Sequence, residues 1–114
     1  MTLSALLTAI SEEPQEISFD DVITTITNNY QYVPASFSNG DVVNKAGTNE
    51  GSCKIFAFAK LHNLSKEQAL ACFGKYYRDD VLGNSTGNDH GNIRNFMISG
   101  WEGIKFSSDA LLKS

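Results

Sequence analysis

The sequence predicts an α+β fold in which about four helices cover a small antiparallel sheet. Two observations favour this class: apolar residues recur at helical spacing in several segments, and an Asn-Gly pair lies among residues that favour strands. The chain has 114 residues, of which 41% are hydrophobic, and this is enough for one domain with its own core. We therefore expect residues 1–114 to form a single domain, and an all-helical domain is the alternative.

Two amphipathic helices are predicted before the first strand. The first ends near Pro14, and its apolar face consists of Leu3, Leu6, Leu7 and Ile10. The second begins after Ser18, a good N-cap residue, and carries carboxylates in its first turn. Its buried stripe is Phe19, Val22, Ile23, Ile26 and Tyr30. Because its threonines lower helix propensity, burial of this stripe must stabilise the second helix.

A β-hairpin is predicted over residues 31–45. Asn39-Gly40 readily adopts the positive φ angles of a type I′ turn, and residues of strand-forming type flank it. Pro34 places the first strand of this hairpin at an edge of the sheet, because proline cannot donate a ladder hydrogen bond.

A helical hairpin follows. Residues 52–63 are apolar nearly all round, which indicates a central buried helix. Ser65 and Gln68 have the spacing of a capping box for the next helix. The buried face of that helix is predicted to be Leu70, Phe73, Tyr77 and Val81.

The last part of the chain is predicted to hold one helix and one strand. Asn88 or Asp89 can cap the helix, which ends at Gly100. Residues 101–106 favour a strand with Ile104 and Phe106 on one face, and the tail 107–114 can add a final helical turn.

Composition argues against several classes of function. The formal net charge of -4 and the lack of a basic run disfavour nucleic acid as a partner. No apolar run approaches the length of a membrane span, and the N-terminal segment lacks the basic residues of a cleaved signal. Two cysteines without paired spacing fit a reducing cytoplasm. Metal-binding and nucleotide-binding motifs are missing from the sequence, so we expect no metal and no cofactor.

Cys53 is the first candidate for chemistry, because it lies near the predicted start of a helix. There the dipole would stabilise a thiolate, and Gly51 and Ser52 could offer N–H donors to an oxyanion. Lys60 falls on the same side of the helix as Cys53, so that side reaches the surface and Cys53 could be partly exposed. The alternative is a small core residue, since cysteine is among the most buried residue types.

His90 is the second candidate. In the first turn of a helix it would stay neutral and could act as a base, with Asp89 or Asn88 orienting the ring. Together with Cys53 it would make a hydrolase or an acyl transferase. The alternative is a capping or surface histidine.

Binding residues are also predicted in the loop before the central helix. Asn44, Asn49 and Glu50 surround two glycines there, which suits a binding loop, and Arg94 is a further candidate for contact with a ligand. The alternative is a tight structural crossing into the helix. The segment "KYYRDD" could form a recognition patch, or its tyrosines could anchor a helix while its charged residues stay solvated.

The segments "FSNGDVVNKAG", "NEGSCKIFAFAKL", "CFGKYYRDDVL" and "DHGNIRNFMISGWEGIKF" resemble the HopJ family of small bacterial proteins over about residues 30–106. The resemblance implies a compact fold of helices and strands, and it supplies no reaction, cofactor or catalytic residue. The family takes its name from a candidate type III secreted effector. We therefore expect a non-enzymatic binding or interaction protein whose partner is a protein or a small molecule. It would be cytoplasmic in the producing bacterium, or secreted into a host.

Overall fold

The computed structural model describes residues 1–113. Its helices are α1 (Leu3–Glu12), α2 (Phe19–Asn29), α3 (Glu50–Leu61), α4 (Lys66–Ala71) and α5 (Gly91–Ser99). Short 3₁₀ turns cover Pro14–Glu16 and Gly100–Gly103, and a π-helical segment covers Tyr76–Val81. The strands are β1 (Tyr30–Tyr32), β2 (Phe37–Asn39), β3 (Val42–Asn44), β4 (Ile104–Phe106) and β5 (Leu111–Lys113).

The strands form two small antiparallel sheets. One has the order β3-β2-β4, with Ser38 paired to Val43 on one side and to Lys105 on the other. The other joins β1 to β5, with Gln31 opposite Leu112. Helix α5 packs on β2, and α3 contacts β5. The α+β class predicted from the sequence is confirmed.

Helix α3 is the centre of the core, and it contacts α2, α4 and β5. Phe56 on this helix is fully buried. Its ring packs against four other rings, with centroid distances of 4.8–6.5 Å: Phe37, Phe73, Phe96 and Trp101. Edge-to-face and tilted rings of this kind add to the burial energy, so α3 is the buried helix that its apolar sequence predicts.

Helices α1 and α2 follow their sequence signals closely. The Thr2 side chain accepts a hydrogen bond from the Ala5 amide at 3.0 Å, and the predicted N-cap Ser18 accepts one from the Asp21 amide at 3.4 Å. The predicted capping box of α4 also forms, with reciprocal bonds between Ser65 and Gln68 of 2.9 and 3.1 Å. Caps of this kind satisfy first-turn N–H groups and fix where each helix begins.

The hairpin forms, although its register and position in the sheet differ from the prediction. Asn39 ends β2 opposite Val42, so the turn residues are Gly40 and Asp41. Of these two only Gly40 has a positive φ, of 61°, which rules out a type I′ turn and agrees with glycine at the first position of a type II′ turn. Pro34 lies before β2, which is the central strand, so the predicted edge position was wrong.

The chain after α4 breaks at Gly74 before it continues as the π-helical segment. Gly74 has a φ of 59°, and a Cβ there would lie 2.7 Å from the Phe19 amide nitrogen. Only glycine fits this left-handed turn against α2. The predicted face is nevertheless buried at Leu70, Phe73 and Val81, with Tyr77 partly buried.

The C-terminal predictions are partly wrong. The N-cap position of α5 is occupied by His90 rather than by Asn88 or Asp89, and no side chain caps this helix. Trp101 lies in a 3₁₀ turn, where its indole donates to the Leu64 carbonyl at 3.0 Å, and the strand begins only at Ile104. Within the described part of the tail, Leu111–Lys113 forms β5 rather than a helical turn, because β1 offers it a pairing partner. The predicted turn also included Ser114, which lies outside the described residues.

Candidate functional site

A cleft of about 600 Å³ lies between the starts of α3 and α5. The start of α3 contributes Asn49, Gly51 and Ser52 to its lining, and the start of α5 contributes His90, Gly91, Asn92 and Ile93. The other walls come from α2, β3 and the segment after α4, through Phe19, Val42, Phe73 and Tyr76. The cleft therefore has apolar walls and two polar helix starts.

Both helix starts have the same unusual backbone. The residues before α3 and α5, Asn49 and His90, have left-handed φ angles of 50° and 49°. Neither side chain caps its helix. Because the first N–H groups of a helix lack acceptors within that helix, Gly51, Ser52 and Gly91 bring hydrogen-bond donors to the cleft.

A cluster of four asparagines, the asparagine network, ties the two helix starts together. Asn92 donates to Asn44 Oδ1 at 3.0 Å, and Asn49 donates to the same oxygen at 2.7 Å. Asn39 and Asn44 donate in turn to Asn92 Oδ1, at 3.0 and 3.2 Å. Since Asn39, Asn44 and Asn92 are buried, these bonds replace water and fix β2, β3, α3 and α5 relative to one another.

His90 is held at the rim of the cleft by the π-helical segment. Its Nε2 lies 3.0 Å from Asp80 Oδ2, and its ring centroid lies 5.3 Å from that of Tyr76. Asp89, the predicted orienting group, is farther away, at 3.9 Å from the same nitrogen. The structure therefore brings His90 to the site and pairs it with Asp80, which the sequence placed in the segment "KYYRDD" without a link to His90.

Asp89 is paired with Arg94. The Arg94 Nη2 lies 2.6 Å from Asp89 Oδ1, and the Arg94 Nε donates to the Asp89 carbonyl at 2.6 Å. The hydrogen bond from Arg94 holds the pKa of the Asp89 carboxyl below its ordinary value. Both residues thus hold the loop before α5 in place, and the guanidinium that was predicted to meet a ligand already has a carboxylate partner.

Of the two interpretations that the sequence left open for Cys53, the small core residue is confirmed and the partly exposed thiol is wrong. Cys53 is 1% exposed, and its sulfur lies 3.7 Å from the Ala35 carbonyl. Burial raises the pKa of the Cys53 thiol, and burial raises the pKa of Tyr32, beside it, to about 12. Helix α3 begins at Glu50, two residues earlier than predicted, and Cys53 is buried within its first turn. Within residues 1–113 no hydrogen bond joins Cys53 to His90.

The predicted binding residues differ in where they lie relative to the cleft. Asn49 lines the cleft, and Asn44 is buried beneath it in the asparagine network. Glu50 is exposed at the start of α3 and lies outside the lining. Sequence reasoning missed Phe19, Phe73 and Val42, which had been assigned to the core or to strands, because helical spacing cannot tell a cleft wall from a core face.

His62 lies at the boundary between the core and the surface. It is partly buried, its Nε2 lies 2.7 Å from the Tyr30 hydroxyl, and its ring packs against Phe58 with a centroid distance of 4.7 Å. Burial lowers the pKa of His62, so its neutral form is favoured in the folded protein. This histidine completes the packing of α3 on β1 and lies outside the cleft lining.

The structure has other grooves, and none of those along α1, beside Leu61, beside Lys75 or beside Trp101 contains a histidine. One of about 260 Å³ lies beside Leu61 and Phe106, and another lies along α1 alone. The cleft between α3 and α5 differs because backbone donors, a histidine with a carboxylate partner and the aromatic rings of Phe19, Phe73 and Tyr76 meet there. We therefore take it as the candidate functional site.

Comparison with known proteins places the chain in a family. The fold and the cleft define a small α+β domain in which two helix starts face each other across an open site. A family model described as HopJ type III effector protein matches residues 3–111. The chain belongs to this HopJ family, which confirms the resemblance found in the sequence.

A solved structure is also similar. The crystal structure of the unknown function protein VPA0580 is 50% identical in sequence, with a TM-score of 0.98, over 100% of this chain and 95% of that chain. No curated protein matches the chain. None of the helices in the described part of the chain has the length and apolar character that a bilayer crossing requires.

Proposed function

We propose that this HopJ protein is a non-enzymatic binding module that holds a small molecule in the cleft between α3 and α5. The observation that carries the proposal is the cleft itself. Its volume of about 600 Å³ suits a small organic ligand, and its walls combine rings with a few convergent polar groups. A ligand with a flat apolar body and a polar head group is complementary to these walls.

Binding rather than catalysis is favoured by the nature of the groups at the site. The cysteine that would serve as a nucleophile is buried, and its pKa is raised. A buried neutral thiol is a poor nucleophile. The polar groups at the cleft are held by structural bonds, from Asp80 to His90 and through the asparagine network. A rigid donor surface of this kind suits recognition, because little side-chain entropy is lost on binding.

The test is an NMR titration of ¹⁵N-labelled protein with a set of small aromatic fragments that carry neutral, acidic or basic head groups. We expect selective shifts of the Gly51, Ser52 and Gly91 amides, and recovery of the fragment unchanged after long incubation. Shifts confined to other surfaces, or none with any fragment, would remove the cleft from consideration. Chemical conversion of a fragment would contradict a non-enzymatic role.

A blocking variant sharpens this test. A Cβ at Gly91 meets no atom within 4 Å, so Gly91→Leu can fold, and its side chain would narrow the cleft. The control is Ser108→Leu, which adds the same side chain at an exposed position beside the other groove. Gly91→Leu should abolish the fragment shifts, and Ser108→Leu should leave them unchanged.

The place of action is also part of the proposal. We expect the protein to act in the cytoplasm of the producing bacterium, and the family description raises export by a type III system as the alternative. Fractionation of cells that express a tagged protein, with and without a functional secretion system, separates the two. Protein in the medium only when the system is intact would support export.

A further inference from the structure

Asp80 and His90 form a pair whose chemistry bears on what the cleft accepts. We infer that Asp80 is a positioning residue that leaves His90 Nδ1 as the free acceptor, so that the cleft selects a neutral ligand of the carboxamide type. The inference rests on the proposed function of the cleft. Its physical basis is the 3.0 Å contact between Asp80 Oδ2 and His90 Nε2.

The contact sets the tautomer of the ring. An ionised carboxylate can only accept hydrogen bonds, so the proton of a neutral His90 must lie on Nε2. The lone pair is then on Nδ1, and this is the ring nitrogen that remains for a ligand. Packing against Tyr76 limits rotation of the ring, so Asp80 and Tyr76 together fix what His90 offers.

The other charged groups around His90 argue against an anionic ligand. Asp80 and Asp89 both lie within 4 Å of its Nε2, whereas the nearby cation Arg94 is paired with Asp89. Since Asp89 and Arg94 offset each other's charge, the remaining negative charge beside His90 is that of Asp80, and it opposes the preference of the two helix starts for an anion. A neutral head group avoids that repulsion and still uses the backbone donors.

A carboxamide matches both kinds of group. Its carbonyl oxygen can accept from the N–H groups of Gly51, Ser52 or Gly91, and its NH₂ can donate to His90 Nδ1. An aromatic ring attached to it would pack against Phe19 and Tyr76, whose own rings lie 5.1 Å apart. A carboxylate of the same shape has acceptors only, and it would leave Nδ1 without a donor.

The test compares benzamide with benzoate at about pH 8.5, where histidine is ordinarily neutral. We expect benzamide to shift the Gly51 and Gly91 amides at lower concentration than benzoate does. In the ¹⁵N spectrum of the imidazoles, His90 should show a proton on Nε2 in the free wild-type protein, a result that needs no substitution and no ligand. Equal binding of the two probes, tighter binding of benzoate, or a proton on His90 Nδ1 would overturn the inference.

Asp80→Ala tests the role of the carboxylate, and Asp79→Ala is its control because it removes a neighbouring exposed charge from the same segment. Loss of one hydrogen bond should weaken benzamide binding about fivefold in Asp80→Ala. The His90 ring should then also lose its single tautomer, and Asp79→Ala should alter neither property. An unchanged ring spectrum together with unchanged affinity would show that Asp80 does not position His90.

The inference and the proposed function fail in different ways. If other fragments bind the cleft and benzamide does not, the site stands and the ligand class is wrong. If no fragment of any class shifts the cleft amides, the proposed function itself falls, and the inference falls with it.

Discussion

The asparagine network makes a quantitative prediction about stability. Asn44 is 1% exposed, and its side chain takes part in four hydrogen bonds, two as donor and two as acceptor. Asn44→Ala leaves Asn92 Nδ2 and Asn49 Nδ2 without their acceptor. Each unsatisfied buried amide costs about 1–3 kcal/mol, although Asn49 is partly exposed and should cost less. We therefore expect a loss of about 3 kcal/mol in the free energy of unfolding.

The assay is urea unfolding followed by circular dichroism, with Asn28→Ala as the control. Asn28 is exposed on α2, and alanine there should change stability by less than about 0.5 kcal/mol. For a chain of this length, 3 kcal/mol corresponds to a melting temperature lower by about 12 °C. The double variant with Asn92→Ala should lose less than the sum of the single losses, because the residues share their bonds. Additive losses, or a loss below about 1 kcal/mol for Asn44→Ala, would refute the network argument.

Three further predictions follow from other parts of the fold. Iodoacetamide at about pH 7.5 should label neither Cys53 nor Cys72 in the native protein. Burial raises the pKa of both thiols, and it raises that of Cys72 to about 12. Rapid labelling of the native protein, detected by mass spectrometry, would contradict this prediction. Gly74→Ala should lower the free energy of unfolding by about 2–4 kcal/mol, because Gly74 has a φ of 59° and a Cβ there would meet the backbone of Phe19. The control Gly91→Ala should leave stability unchanged or raise it. Equal melting temperatures of the two variants would show that the contact with Phe19 can relax. Because burial lowers the pKa of His62, protonation favours the unfolded chain, so stability should fall as the pH drops below about 6.5. His62→Gln should show a smaller fall in urea titrations, and an equal fall would assign the effect to other groups.

The sequence predicted those elements whose signals are local. Ser18, Ser65 and Gln68 cap their helices as expected, since a cap depends on residues only three apart. The apolar character of α3 also predicted its central position. These features need no knowledge of distant parts of the chain.

Errors arose where distant contacts decide the structure. The tail forms β5 because β1, some eighty positions earlier, pairs with it in the register Tyr32 to Leu111. At Gly74 the helix is interrupted, although the apolar pattern of the sequence continues past this residue. The close approach of the Phe19 backbone, which leaves no room for a Cβ at Gly74, explains the interruption. Local propensity carries no information about either contact.

The site was predicted in part. His90 and Asn49 were named, and both line the cleft. The sequence identified Asp80 only as one of the charged residues in "KYYRDD". Its contact with His90 depends on the π-helical segment, which changes the direction of side chains relative to an α-helix, and the sequence did not predict that segment. The core interpretation of Cys53 is confirmed, and the expected partial exposure is wrong because the side that Cys53 shares with Lys60 is open only at Lys60, whereas Cys53 packs against Ala35.

The most direct test of the proposed binding role is a crystal structure of the protein with the tightest fragment from the NMR titration. We predict density for the fragment between the starts of α3 and α5, with its ring beside Phe19 and Tyr76 and its polar group near Gly51 or Gly91. A fragment that instead occupies the groove beside Leu61 and Phe106 would contradict the assignment of the cleft as the binding site.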